Sequence, residues 1–223
     1  CISTLLTTIR KNFEVLEDAE ISIECNPNSV TANKVYEWKG AGVNRVSVGL
    51  QSTNANTLKL IGRQHSVKDY VNAVETIKTC GIENINTDCL VGLPRQKMSH
   101  IKHTLRTITK FHCTHVSVYS LILEEDTPLF KMVESGEVIL PPEERVLNMY
   151  NFAHDFLEKA GYTHLLDASA WNVIKGGKYY TTKGDSSIIA FNVGDDLSDL
   201  GFHIVASHSD SPSFKVKPQC DYS

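Results

Sequence analysis

The sequence predicts an α/β chain in which a series of parallel βα units is followed by a β-rich stretch. Three observations carry that prediction. Strand-like and helix-like segments alternate through roughly the first 160 residues, which is the pattern of parallel βα units. Polar residues fall at the carboxyl ends of the strand-like segments, where βα proteins assemble their sites. After Gly161 the texture changes to paired glycines and short alternating apolar runs with no long helix.

The strand-like segments are AEISIEC (19–25), VNRVSVGL (43–50), NINTDCLVG (84–92) and HVSVYSLI (115–122), all short and rich in β-branched residues. Helices are expected between them. The clearest, SVKDYVNAVETIKTCG (66–81), has Ser66 as N-cap, Tyr70, Val71, Val74 and Ile77 at helical spacing, and Gly81 to close it. A second (142–160) follows Pro141 and Pro142, carries Val146, Met149, Tyr150, Ala153, Phe156 and Leu157 along one face, and stops at Gly161. Beyond it, KGGK (175–178) and TKGDS (182–186) read as hairpin-like turns. In GFHIVASHSD (201–210) strand alternation puts His208 and Asp210 on one face with Phe202, Ile204 and Ala206.

Composition narrows the function classes. A chain of 223 residues can bury the core of one large domain or two small ones. With 41% hydrophobic residues, 22% charged and a net charge of -4, it reads as a soluble globular protein with no electrostatic case for nucleic acid. No apolar run approaches the roughly 20 residues of a membrane helix, and no signal-peptide pattern opens the chain, so a cytoplasmic location is expected. The six cysteines are scattered without a C-x-x-C pair, which indicates neither a disulfide framework nor a zinc knuckle. The chain begins with Cys1 rather than Met, and it is expected to be a piece of something longer.

Glu24 closes the first strand, Gln51 the second, and Asp88 sits late in the third, so all three are expected on one rim. With Arg63 from the LIGRQH loop, they suit a ligand that carries an amino group, a carboxylate and ribose hydroxyls. Taken singly, each also fits a helix cap or a loop tether. Their joint placement favours a ligand site. At the other end, an imidazole followed two residues later by a carboxylate suits a zinc ligand beside a group that orients it. A bare H-x-D pair is equally compatible with surface or turn residues.

The ordered run ECNPNSV, AGVNRVSVGLQS, LIGRQHS, INTDCLVGLPRQ and HVSVYSLILEEDTPL resembles the radical S-adenosylmethionine (radical SAM) enzymes of the oxygen-independent coproporphyrinogen III oxidase group, especially the haem-chaperone-like members. The resemblance covers residues 1–164 and implies a partial (β/α) barrel of the radical SAM type with its N-terminal strands missing. It further implies that Glu24 and Gln51 hold the methionine and sugar portions of S-adenosylmethionine, that Arg63 and Asp88 hold its carboxylate or ribose, and that haem or a porphyrinogen is the partner. The family also carries a 4Fe-4S cluster on a C-x-x-x-C-x-x-C loop. That loop is absent from this sequence, so no iron–sulfur ligands are present and the segment alone is expected to lack radical chemistry.

The elements WNVIKGGKYYTTK, SSIIAFNVG and GFHIVASHSDSPSFKVKP, in that order, resemble the N-terminal part of the two-zinc aspartyl aminopeptidase family. The resemblance covers roughly residues 160–223, and residues 165–223 are expected as a β-rich fragment of a zinc aminopeptidase domain. It implies that His208 is a zinc ligand, that Asp210 is catalytic beside the metal, and that the substrate is a peptide with an acidic N-terminal residue. A two-metal hydrolase needs more ligands than these two, so peptidase activity is not expected of the chain as it stands. The expectation is therefore a chimera of a radical SAM fragment of haem metabolism and an aminopeptidase fragment, with a zinc aminopeptidase and a non-catalytic fusion or assembly artefact as alternatives. An incomplete barrel leaves strand edges unpaired, and residues 1–164 expressed alone are expected to associate.

Overall fold

Short β-branched runs form the strands, and amphipathic segments supply the helices that cover them. The computed structural model describes residues 2–166, 171–183 and 187–194. The first part runs α1 (Ile2–Asn12), β1 (Ser22–Cys25), α2 (Ala32–Gly40), β2 (Arg45–Gln51), α3 (Ala55–Leu60), α4 (Val67–Thr79), β3 (Asn84–Val91), α5 (Met98–Lys110) and β4 (His115–Ser120). There follow α6 (Pro128–Glu134), α7 (Glu143–Lys159), β5 (Thr163–His164), β6 (Lys178–Lys183) and β7 (Ser187–Asn192).

The two helices with the clearest punctuation form where their signals stand. Ser66 and Asp69 make a reciprocal capping box at the start of α4: Asp69 N donates to Ser66 Oγ at 3.2 Å, and Ser66 N to Asp69 Oδ2 at 2.7 Å. Its far end is closed by Gly81, whose φ of +85° only glycine adopts without strain. Helix α7 starts after Pro142 and buries Met149, Tyr150, Ala153 and Leu157. Full burial of each large aliphatic side chain contributes about 1.5–3 kcal/mol.

The four expected strands occur, trimmed at their ends for local reasons. Just before Ser22 a side chain replaces one backbone partner: Ile21 N donates to Asn44 Oδ1 at 2.8 Å, while Ile21 O still accepts from Arg45 N at 3.2 Å. After Ser120, Leu121 N still reaches Val91 O at 2.9 Å, but Ile122 already faces solvent.

The seven described strands belong to one sheet in the order β1-β2-β3-β4-β7-β6-β5. Strands β1 to β4 are mutually parallel, as the βα rhythm requires. Strand β7 then runs antiparallel to β4, pairing Val118 with Ile188 and Val116 with Ala190, and β6 runs antiparallel to β7. The seam expected near residue 164 thus lies within a continuous sheet, and the outer edge of β4 is occupied. One face of this sheet is apolar: Val46, Val48, Ile85, Val91, Val118, Ile188 and Ala190 are buried under α4, α5 and α7. Tyr150 of α7 ties the hairpin down by donating its hydroxyl to Ser187 O at 2.7 Å.

No described helix is long and apolar enough to cross a membrane. The segment 201–210, with His208 and Asp210, lies outside the described residues.

Candidate functional site

The opposite face of the parallel strands is polar. Because side chains alternate along a strand, Arg45 and Ser47 of β2, Asn84, Asn86 and Asp88 of β3, and His115, Ser117 and Tyr119 of β4 share it. The register sets Ser47 beside Asn86 and Asp88 beside Ser117, so the polar groups are immediate neighbours across strands. Glu24 of β1 stands exposed on the same side.

Gln51 reaches this face through a backbone irregularity. The ladder pairs Val48 with Thr87 but Gln51 with Cys89, which places one extra residue in β2, and Gln51 itself has φ +62°. A bulge of this kind re-aims a side chain, and left-handed backbone at a non-glycine residue concentrates at functional sites. The amide turns back over Gly49, where an added Cβ would lie 3.0 Å from Gln51 Nε2. Gln51 is 5% exposed, yet its Oε1 has no hydrogen-bond partner. A buried acceptor left unmade costs about 1–3 kcal/mol. It therefore marks a position where a ligand donor fits.

Asp88 is gripped from below. Asn86 Nδ2 donates to Asp88 Oδ1 at 2.7 Å and to Ser47 Oγ at 2.8 Å, and Ser47 Oγ donates to Asp88 Oδ2 at 3.2 Å. Ser117 Oγ completes the set by donating to Asn86 Oδ1 at 3.1 Å. Burial pushes the Asp88 carboxyl above its ordinary range and the neighbouring Glu24 charge adds to this, while the bonds from Asn86, Ser47 and Tyr119 oppose it. Tyr119 joins two of the expected residues: its hydroxyl engages Gln51 and Asp88, and burial raises its pKa.

Arg63 arrives from the loop after α3, and that loop is fixed at two points. The Arg63 guanidinium donates to Asn26 Oδ1, just beyond β1, and His65 Nε2 lies 3.1 Å from Leu50 O at the end of β2. Since a carbonyl only accepts, Nε2 carries the proton. Burial lowers the His65 pKa, which favours the neutral ring.

The structure thus brings Glu24, Gln51 and Asp88 together and sets Arg63 at the same rim through Asn26. Sequence reasoning missed Ser47, Asn86, Ser117 and Tyr119. The signal was available in the i, i+2 spacing of Asn86 and Asp88 and in the polar positions facing them from VSVG and VSVY.

Two carboxylates, an unmet acceptor and an arginine fit a ligand such as S-adenosylmethionine, with its ammonium and sulfonium charges, ribose hydroxyls and carboxylate. The four described thiols do not fit a 4Fe-4S cluster. Cys25, Cys80, Cys89 and Cys113 are each buried on a separate element, and burial pushes the Cys89 thiol up to about 12. Cluster ligation needs thiolates converging on one cubane. Among the described residues, His154, Asp155 and Glu158 of α7 are a group whose ligating atoms lie within 4.8 Å of one another. The Tyr180 hydroxyl already sits 2.8 Å from His154 Nε2 and donates to Glu158 Oε1 at 3.1 Å.

Comparison with known proteins bears on the family and the fold. The Radical SAM superfamily profile matches residues 4–108, and that of the aminopeptidase I zinc metalloproteases (M18) matches residues 145–223. The heme chaperone HemW of Bacillus subtilis (strain 168) is 37% identical over 143 residues, which is 64% of this chain and 38% of the relative. HemW of Lactococcus lactis subsp. lactis (strain IL1403) is 36% identical over 165 residues, 73% of this chain and 43% of the relative. The chain thus spans about two fifths of the length of these relatives. The structure of coproporphyrinogen III oxidase (HemN) from Escherichia coli, a radical SAM enzyme, superposes with a TM-score of 0.63 at 25% identity, covering 73% of this chain and 37% of that one.

Proposed function

We propose that the N-terminal part of the chain, which matches the Radical SAM superfamily profile over residues 4–108 and resembles the HemW and HemN proteins, binds S-adenosylmethionine at its polar rim. The observation that carries the reading is the buried, unmet Oε1 of Gln51, aimed by a bulge at a face that holds Glu24 and Asp88. Glu24 and Gln51 hold the methionine and sugar portions, and Arg63 and Asp88 hold the carboxylate or ribose. When bound, the cofactor supplies a sulfonium whose carbon–sulfur bond one electron can cleave. The chain's own residues bind and orient; their four described thiols supply no site for an electron-donating cluster. Because the relatives are heme chaperones, haem or a porphyrinogen is the partner class.

Calorimetric titration of the full chain with S-adenosylmethionine tests this. Binding in the micromolar range is expected, with a loss of at least about tenfold for Asp88→Ala, since a hydrogen bond to a charged group contributes about 1.5–3 kcal/mol. No heat with the parent, or an unchanged affinity in the variant, refutes the reading.

The M18 match over 145–223 favours a second activity class: a zinc site at His208 with Asp210 assisting, directed at a peptide substrate. On this reading the fusion remains non-catalytic, because one imidazole and one carboxylate do not complete a two-metal site. Metal analysis of His208→Ala separates the cases. A zinc content lower than the parent's supports the ligand role, and an equal content removes it.

A further inference from the structure

We propose that Asn86 is a positioning residue, which holds the Asp88 carboxylate in one orientation and in its charged form for the ligand; this rests on the S-adenosylmethionine reading above. Asn86 is 4% exposed and lies one strand-repeat below Asp88 on the same face of β3. Its side chain uses its hydrogen-bonding groups on the clamp: Nδ2 donates to Asp88 Oδ1 at 2.7 Å and to Ser47 Oγ at 2.8 Å, while Oδ1 accepts from Ser117 Oγ at 3.1 Å. Ser47 Oγ then donates to Asp88 Oδ2 at 3.2 Å, so each carboxylate oxygen receives one donor rooted in Asn86.

The amide has one workable orientation. Turning it over would set its carbonyl against the carboxylate and leave Ser47 Oγ without that donor. Three strands contribute to the clamp, with Ser47 on β2, Asn86 on β3 and Ser117 on β4, so its geometry is as rigid as the sheet. Both oxygens are held from below, and at the same rim the buried Gln51 Oε1 has no donor. A buried polar network is costly unless satisfied and is often replaceable by apolar packing without loss of stability. Its placement directly beneath the rim acid therefore points to function.

Other groups also act on Asp88. Glu24 faces it from β1 and Tyr119 from β4, Cys89 follows it on β3, and Arg45 and His115 stand lower on the same face. Glu24 and burial favour the protonated carboxyl, and the clamp opposes them. Removal of the Asn86 donors leaves only Ser47 and Tyr119 to oppose that pressure, so Asp88 keeps its proton to a higher pH. Ligand binding that needs the carboxylate is then lost at a higher pH than in the parent.

The test is calorimetric titration of the full chain with S-adenosylmethionine across pH, alongside the carboxyl carbon titration of Asp88 followed by NMR without ligand. For Asn86→Ala, affinity at neutral pH is expected to fall about tenfold and to recover as pH rises, because charge-assisted bonds of this kind are worth about that factor. The Asp88 titration should move upward in parallel. Ser47→Ala removes a single donor, leaves Asn86 in place, and should shift both in the same direction by less. It serves as the readout if Asn86→Ala does not fold.

A uniform loss of affinity with no change in pH dependence and an unmoved Asp88 titration overturns the positioning role while leaving the cofactor reading intact. Absence of binding by the parent at every pH removes the cofactor reading, and with it the ligand half of this proposal. The NMR titration then reports separately whether Asn86 controls the Asp88 charge.

Discussion

The parallel half of the sheet and the hairpin that extends it differ on one face and agree on the other. On the helix-covered face, Val116 and Val118 of β4 continue into Ala190 and Ile188 of β7 with all four side chains buried. On the open face, Ser117 is paired with Ile189, which is 45% exposed, and His115 with Phe191, so polar groups give way to apolar ones within one strand spacing. Backbone pairing and core packing are therefore indifferent to what the second face carries. The candidate chemistry belongs to β1 through β4, and the hairpin serves to pair an edge and cover α7.

The most severe way to break this comparison is to remove the hairpin. A chain ending at His164 bares the β4 ladder edge and the apolar groups that Ile188 and Ala190 cover, and exposed edges of this kind template association. Such a fragment should elute as aggregate in size-exclusion chromatography. A sharp monomer would show that the parallel half needs no partner strand.

A smaller effect sharpens the boundary itself. His115 stacks on Phe191 at 6.3 Å between ring centroids, and burial, then the Arg45 charge, lowers its pKa from 6.5 to about 4. The folded ring resists the proton that the unfolded chain accepts, so its contribution to stability is complete above the unfolded value and falls as pH drops from 6.5 towards 4. The linked loss is at most about 3 kcal/mol at one pH unit per 1.36 kcal/mol. Urea unfolding of the parent should weaken across that window, and His115→Gln should flatten the dependence. An identical slope in the two would mean that the ring is solvated at the junction.

The parts of this fold that were legible in the sequence are those with local punctuation. Ser66 with Asp69, and Pro142 with Gly161, mark helix ends by hydrogen bonds and backbone angles that involve only neighbouring residues. The β-branched runs likewise mark β1 to β4. The direction in which β7 joins β4 was not legible, because an apolar alternating segment pairs equally well either way and only tertiary context decides. Glu24, Gln51 and Asp88 were legible as rim residues because strand ends in a βα series face one side. The bulge that aims Gln51 was hidden, since a single extra residue leaves the apolar pattern of SVGLQS unchanged. The clamp under Asp88 was hidden for the opposite reason: Ser47, Asn86 and Ser117 read as ordinary solvent-side alternation until three strands align them.

The sealed thiols give the molecule a built-in reporter of opening. Cys25 and Cys89 lie within β1 and β3, Cys80 caps α4, and Cys113 sits against Tyr70 and Thr87, which spreads them through the core. A thiol must be deprotonated and reachable to be alkylated, so the labelling of each of these four by a maleimide follows how often its own surroundings come apart. Mass spectrometry of labelled peptides would then rank the helices and strands by how often each breathes, with no mutation needed to install the probe.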